Sequence, residues 1–238
     1  MNLIHKDKRI LSLLILLVVL YIAFIYLDIV SECLLLCKVL KYAADVVCFL
    51  IAVLTYRYSF QRNDAGLLIL ALFFTLIADA LFLFASAFTS GIVCFYFVHL
   101  CYIRRYKKKS FIRNFVLALA VIAFCTVGFI AGLKLPYVPL LGVVYAVLIV
   151  TATGLAFRSN LPQVNKRLAE VGMILFLLCD TNVALSFFAS KFGQFNQIIS
   201  TLVWVFYTPS QLFLSLSAVD YNRAGLAVYP PESKSNDL

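Results

Sequence analysis

The sequence predicts an all-α polytopic membrane protein with eight transmembrane helices and both termini in the cytoplasm. Three observations predict this fold class. First, 64% of the 238 residues are hydrophobic and only 13% are charged, against about 45–50% and about 25% in soluble domains, and the mean hydropathy is +1.00. Second, the apolar residues fall into eight runs near twenty residues long, the length of helix that a hydrocarbon core about 30 Å thick requires. Third, the basic residues cluster between alternate runs. The net charge of +9 is therefore read as a topology signal and not as a nucleic-acid-binding surface.

The first run, 10–27, follows the basic segment HKDKR and resembles a signal peptide. It is too long for one and has no A-x-A-like cleavage site, so it reads as a retained helix. The others are 33–55, 66–84, 88–104, 115–133, 138–157, 169–189 and 196–217. None alternates with period two, so helices are favoured over barrel strands despite many β-branched and aromatic residues. Of the twenty lysines and arginines, sixteen lie before the first run or after the second, fourth, sixth and eighth. The opposite loops hold only Lys134 and Lys191, and Lys38 and Lys41 lie inside the second run. That asymmetry places both termini in the cytoplasm. The cluster RRYKKK (104–109) is expected on the anionic inner leaflet. Residues 1–219 form the transmembrane domain, and 220–238, with YPPESKSNDL, read as a disordered cytoplasmic tail.

The seven cysteines all sit in or at the ends of apolar runs and show no C-x-x-C spacing, so they read as small buried hydrophobes. A weak internal echo is present. Asp79 is followed by FASAF (84–88) and Asp180 by FASKF (188–192), as two parallel four-helix halves would give.

Ionisable residues inside spans are rare and usually face a bundle interior or a functional cavity. Here they are Lys38, Lys41, Asp45, Asp79, His99 and Asp180, on four of the runs. Tyr207 and Gln211, four apart in the last run, share a face. Asp79 stands in LFFTLIADALFLF (72–84), where an ionised Asp costs about 2.5–3.5 kcal/mol to insert. A packing hydrogen bond is the plain alternative to function for Asp79, Asp180 and His99. Lys41 and Asp45, four apart, are expected to neutralise each other, and Lys38, near the outer interface, to snorkel. Glu170 is expected in the first turn of its helix, where the helix dipole favours an acid. Pro209 should kink the last helix and free the carbonyl of Val205. Two aspartates and a histidine could ligate a metal, but no HExxH or paired-His spacing exists, so neither a metal nor another cofactor is expected.

GLLILALFFTLIADALFLF (66–84) followed by FTSGIVCFYFVHLCYI (88–103) resembles the YhhN family of eight-helix membrane proteins, which includes the lysoplasmalogenases. GMILFLLCDTNVALSFF (172–188) is similar to the family's Ser-Asp helix and FYTPSQLFLSLS (206–217) to its Tyr-x-x-Ala-Gln helix, and Lys38 resembles its helix-2 lysine. Ala78, Cys179 and Ser210 replace the family's Gly, Ser and Ala, each a small residue for a small one. The resemblance implies a lysophospholipid substrate, contact with membrane lipids in the cell membrane, and cleavage of the vinyl ether of lysoplasmalogens to a fatty aldehyde and a glycerophospho-alcohol.

The chemistry suits these residues. A vinyl ether hydrolyses when a proton reaches its β-carbon. Water adds to the resulting oxocarbenium ion, and the hemiacetal collapses to the aldehyde. Two carboxyl groups, one neutral and one ionised, can serve as donor and as stabiliser of cation and water. The neutral acid is also the form a low-dielectric bundle tolerates. Asp79 and Asp180 are the candidate catalytic pair, with His99, Lys38, Lys41, Asp45, Tyr207 and Gln211 supporting or binding substrate and a lysine meeting the lipid phosphate. A transporter or lipid-handling protein using the same buried charges, or a scaffold in which they only join helices, are the alternatives.

Overall fold

A computed structural model describes residues 8–30, 34–133, 137–189 and 195–221 of the chain. Among the described residues there are eight long helices and no strand beyond one isolated bridge. They are α1 (Lys8–Val30), α2 (Leu34–Thr55), α3 (Arg62–Leu83), α4 (Phe88–Tyr106), α5 (Lys108–Ile130), α6 (Tyr137–Phe157), α7 (Gln163–Ala189) and α8 (Phe195–Leu216). A short 3-10 turn, Tyr56–Tyr58, leads from α2 towards α3.

Each expected apolar run forms the body of one helix. Four helices begin in polar sequence ahead of their runs: α1 at Lys8, α3 at Arg62, α5 at Lys108 and α7 at Gln163. A helix satisfies its own backbone hydrogen bonds, so it continues past the apolar stretch wherever long polar side chains can reach out. Two expectations change as a result. Glu170 lies two turns inside α7 and not in its first turn, which runs from Gln163 to Lys166. RRYKKK spans the end of α4 and the start of α5.

Six helices are long and apolar enough to cross a membrane: α1, α3, α5, α6, and most of α7 and α8. The remaining two carry much of the expected polar set, Lys38, Lys41 and Asp45 on α2 and His99 on α4. Large apolar side chains point outward from α1 (Ile15, Val19, Ile22) and α5 (Ile112, Val116, Phe129), the surface a lipid phase accepts and water does not.

The packing forms a closed ring of α2, α3, α4, α6, α7 and α8, each helix against the next and α8 back against α2. α1 covers the α2–α8 seam and α5 covers the α4–α6 seam. These partnerships repeat under a shift of four helices: α1 on α2 and α8 corresponds to α5 on α6 and α4, and α3–α4 to α7–α8. That is the arrangement two parallel halves produce. Part of the FASKF echo, residues 190–192, lies outside the described residues, as does most of the 220–238 tail.

Close helix approaches rest on small residues. A Cβ on Gly172 of α7 would stand 2.7 Å from Leu214 Cγ of α8, and one on Gly91 of α4 would stand 2.7 Å from the Phe82 ring of α3. Ser210 of α8 donates to the Gly172 carbonyl at 2.8 Å. Pro209 lies inside α8 and has no N–H to give Val205; the Tyr21 hydroxyl of α1 donates to that carbonyl instead, at 3.1 Å.

At the end of the bundle where α1 begins and α8 finishes, the chain is tied together. Ile10 and Val219 are buried in one cluster. Phe60 N–H donates to Ala218 O at 3.2 Å, and Asp220 N–H to Tyr58 O at 2.7 Å. Arg105, expected at the lipid surface, has a side chain fully buried here. Its Nε donates to Asp64 Oδ1 at 2.8 Å, and Nη2 lies 2.8 Å from Oδ2, an ion pair from α4 to α3. The same guanidinium holds Ser217 Oγ at 2.7 Å and Ser217 O at 2.8 Å, and Asn165 of α7 reaches the carbonyls of Ser217 and Val219. An arginine displaced from the membrane surface costs least when its donors meet acceptors, and here Nε, Nη1 and Nη2 each donate one hydrogen bond.

Candidate active site

The ring of helices turns its polar residues inward because no other side of a lipid-embedded helix can solvate them. On α3, Asp79 is 5% exposed, and its Oδ2 accepts from the Tyr207 hydroxyl of α8 at 2.6 Å. Asp45 of α2, 3% exposed, lies beside it, close enough for one proton to bridge the two carboxyls. Neither oxygen of Asp45 has another donor.

A second set faces the first. Asp180 of α7 accepts from the Tyr145 hydroxyl of α6 at 2.5 Å, and that hydroxyl oxygen lies 3.0 Å from His99 Nε2 of α4. Tyr145 has a single proton and gives it to Asp180, so Nε2 carries the hydrogen and donates to Tyr145. His99 Nδ1 is then the free acceptor, and it has no partner.

The two sets adjoin. Cys179 lies within electrostatic reach of Asp45, Asp79 and Asp180 together. The Phe176 ring joins the arms, packing edge-on against Tyr207 at 5.6 Å and tilted over His99 at 5.1 Å. Under the four-helix shift Asp79 corresponds to Asp180, Asp45's helix to Tyr145's, and Tyr207's helix to His99's, so the arms are two versions of one arrangement.

Asp79, Asp180, Asp45, His99 and Tyr207 are therefore brought together, with His99 reaching Asp180 only through Tyr145. Gln211 lies one turn from Tyr207 on the same face, 1% exposed, with neither amide atom partnered. Thr75, one turn from Asp79 towards the same end of the bundle, also has a buried hydroxyl without a partner.

Lys41 departs from expectation. It does not neutralise Asp45. Its ammonium pairs with Asp28 of α1 at 2.7 Å and lies 4.9 Å from the Trp204 ring centroid. The i,i+4 spacing gave Asp45 and Lys41 a shared sector of α2, but α1 covers Lys41's side and supplies a carboxylate there. Lys38, half-buried, has no acid paired with it among the described residues.

Sequence reasoning missed Tyr145, Asp28 and Trp204. Tyr145 carried a signal, being a phenol in the middle of an apolar run with no other strongly polar side chain nearby. Asp28 fell one residue beyond the first run. The three small-residue positions, Ala78, Cys179 and Ser210, are buried at 0%, 2% and 0% exposure, next to the polar groups they precede. Among the described residues no group of three or more His, Cys, Asp or Glu side chains is spaced to hold a metal ion.

A family model described as the YhhN family matches residues 37–218, well over half of the chain. The matched span runs from α2 through α8 and contains every site residue named above. No curated protein and no solved structure matches the chain. The protein belongs to the YhhN family.

Proposed function

We propose that this YhhN-family chain is a membrane-embedded hydrolase that cleaves the vinyl ether of lysoplasmalogens, working in the cell membrane with eight spans and both termini cytoplasmic. The observation that supports it best is the pair of facing acid arms, Asp45–Asp79–Tyr207 and Asp180–Tyr145–His99, in one buried core.

In this reading one arm holds the proton that goes to the β-carbon of the vinyl ether. The C=C electron pair takes that proton, and the adjacent ether oxygen shares the positive charge as an oxocarbenium ion. The second carboxylate faces the cation and takes a proton from the attacking water. The hemiacetal then releases the glycerophospho-alcohol and the aldehyde. Carboxyl pairs divide such work in glycoside hydrolysis. Tyr207 and Tyr145 each fix one carboxyl oxygen and leave the other towards substrate. Gln211, whose amide both donates and accepts, suits the water that the reaction consumes.

Purified protein incubated with lysoplasmalogen should release free aldehyde, detected by a hydrazine reagent or by coupled reduction. Lysoplasmalogen recovered intact at high enzyme concentration would remove the hydrolase reading.

A further inference from the structure

Three side chains of α2 lie on one stripe: Lys38, Tyr42 and Asp45, spaced four and then three residues. Lys38 is nearest the end of the bundle where α2 begins. It is half-buried and has no acid partner among the described residues; Asp28 of α1 is engaged by Lys41. Tyr42 comes one turn further in. Its ring packs edge-on against Phe84, just past the end of α3, at 5.5 Å, and its hydroxyl lies within electrostatic reach of Asp79 and Asp45. Asp45 and Asp79 close the stripe at its inner end.

The stripe therefore presents a cation with no acid partner among the described residues, then a phenol hydroxyl, then the acid pair. At about 1.5 Å of rise per residue, Lys38 and Asp45 are about 10 Å apart along the helix. A 1-alkenyl-glycerophospholipid presents an anionic phosphate, then a hydroxyl on glycerol carbon 2, then the vinyl ether. Seven bonds separate phosphorus from the β-carbon, about 8 Å when extended at the per-bond rise of an extended chain. The flexible lysine stem spans the difference.

We propose that the Lys38–Tyr42–Asp45 stripe orients the substrate, with Lys38 on the lipid phosphate, the Tyr42 hydroxyl on the free 2-hydroxyl, and the vinyl ether at Asp45–Asp79. Lys41 is excluded from this role by its pairing with Asp28. Tyr42 gives the site a reason to choose lysolipids: an acyl group on the 2-oxygen would remove the hydroxyl's hydrogen and crowd the Tyr42–Phe84 contact. The identity of the lipid rests on the hydrolase reading, whereas the test below reads binding alone.

The probe is a saturated 1-O-alkyl-2-hydroxy-glycerophosphocholine, which has no vinyl group to protonate. Its binding to full-length protein in detergent is read from the fluorescence of Trp204, the chain's single tryptophan, which lies edge-on to Tyr207 at 5.4 Å. Retention of radiolabelled lipid gives a second readout. Lys38→Met should weaken binding at least about tenfold, the loss of a charge-assisted contact, while leaving a neutral 1-O-alkylglycerol unaffected. Lys38→Arg should restore most of it. Tyr42→Phe should weaken the 2-hydroxy lipid several-fold and leave its 2-deoxy analogue unchanged. Inorganic phosphate and glycerophosphocholine, which lack the chain, should not compete at concentrations where the lipid saturates.

Equal losses on charged and neutral lipids, no loss in Lys38→Met, competition by phosphate alone, or no binding to the wild type would each overturn the proposal. The hydrolase reading fails separately. Intact binding selectivity with no aldehyde from the 1-alkenyl lipid removes the reaction and keeps the binding stripe. Aldehyde release that Lys38→Met leaves unchanged removes the stripe and keeps the reaction.

Discussion

At Asp79 and Asp180 a single atom separates catalysis from packing. Asparagine keeps the size of aspartate and can still accept the Tyr207 or Tyr145 hydroxyl, but it cannot exchange a proton with carbon or take one from water. Positioned acid–base groups contribute about 10²–10⁴-fold to rate. Asp79→Asn and Asp180→Asn should each fold, bind ether lysolipid and lose at least about 10² in kcat. His99→Gln should lose less, because His99 reaches Asp180 only through Tyr145. A proton donor of the proposed reaction acts in its neutral form, so turnover should be full on the acid side of its titration and fall as pH rises through it. If proton transfer to carbon limits the proposed reaction, hydrolysis in deuterated water should be slower. Near-normal turnover in either Asn variant would return the aspartates to a packing role.

Helices of this bundle are held at points where backbone groups or missing side chains meet. Pro209 leaves the Val205 carbonyl without its helical donor, and Tyr21 of α1 fills the gap. Tyr21→Phe should cost about 0.5–1.5 kcal/mol of stability. Pro209→Ala restores the amide, so the same Tyr21 change should cost clearly less in that background. Thermal unfolding in detergent, run as a double-mutant cycle, measures the difference. Additive effects would show that the proline and the tyrosine are unconnected. Gly172→Ala drives a methyl into Leu214, which stands 2.7 Å from the added carbon. It should lower stability by about 1–3 kcal/mol, the range for overpacking, and Leu214→Ala should recover part of that loss. An unaltered melting temperature in Gly172→Ala would mean that α7 and α8 separate without strain.

For the whole molecule, the tie between Arg105, Asp64, Ser217 and Asn165 joins α3, α4, α7 and the end of α8 at one end of the bundle. Removing one partner leaves a buried charge unpaired. Arg105→Met should destabilise by about 3–5 kcal/mol, and Arg105→Met with Asp64→Leu by much less. Unfolding midpoints that rank the double variant below the single one would contradict a paired role. The topology has its own measurement. Tags at residues 1 and 238 should both be protected from external protease in sealed, right-side-out cells, and cleavage of either from outside would refute the topology drawn from the basic residues.

The apolar runs by themselves determined where the helices lie, because in lipid a helix is the one local structure that satisfies a continuous apolar backbone within its own segment. They also singled out the residues of the core, since a polar group in such a run has to turn inward whatever its neighbours are. Asp45, Asp79, His99, Asp180, Tyr207 and Gln211 were legible for that reason, although the roles of Asp79 and Asp180 await the kinetic test. Pairing was not legible. Lys41 and Asp45 share a sector of one helix, yet Lys41 goes to Asp28 and Asp45 to Asp79, because α1 packs on one side of α2 and α3 on the other. Arg105 reads as one more surface cation in RRYKKK until α3 and α8 surround it with acceptors. Tyr145 gains its place only when α6 and α7 meet and set its hydroxyl between His99 and Asp180. Hydropathy is a property of each segment, whereas a hydrogen bond between helices depends on which faces the ring brings together, and only the tertiary structure decides that.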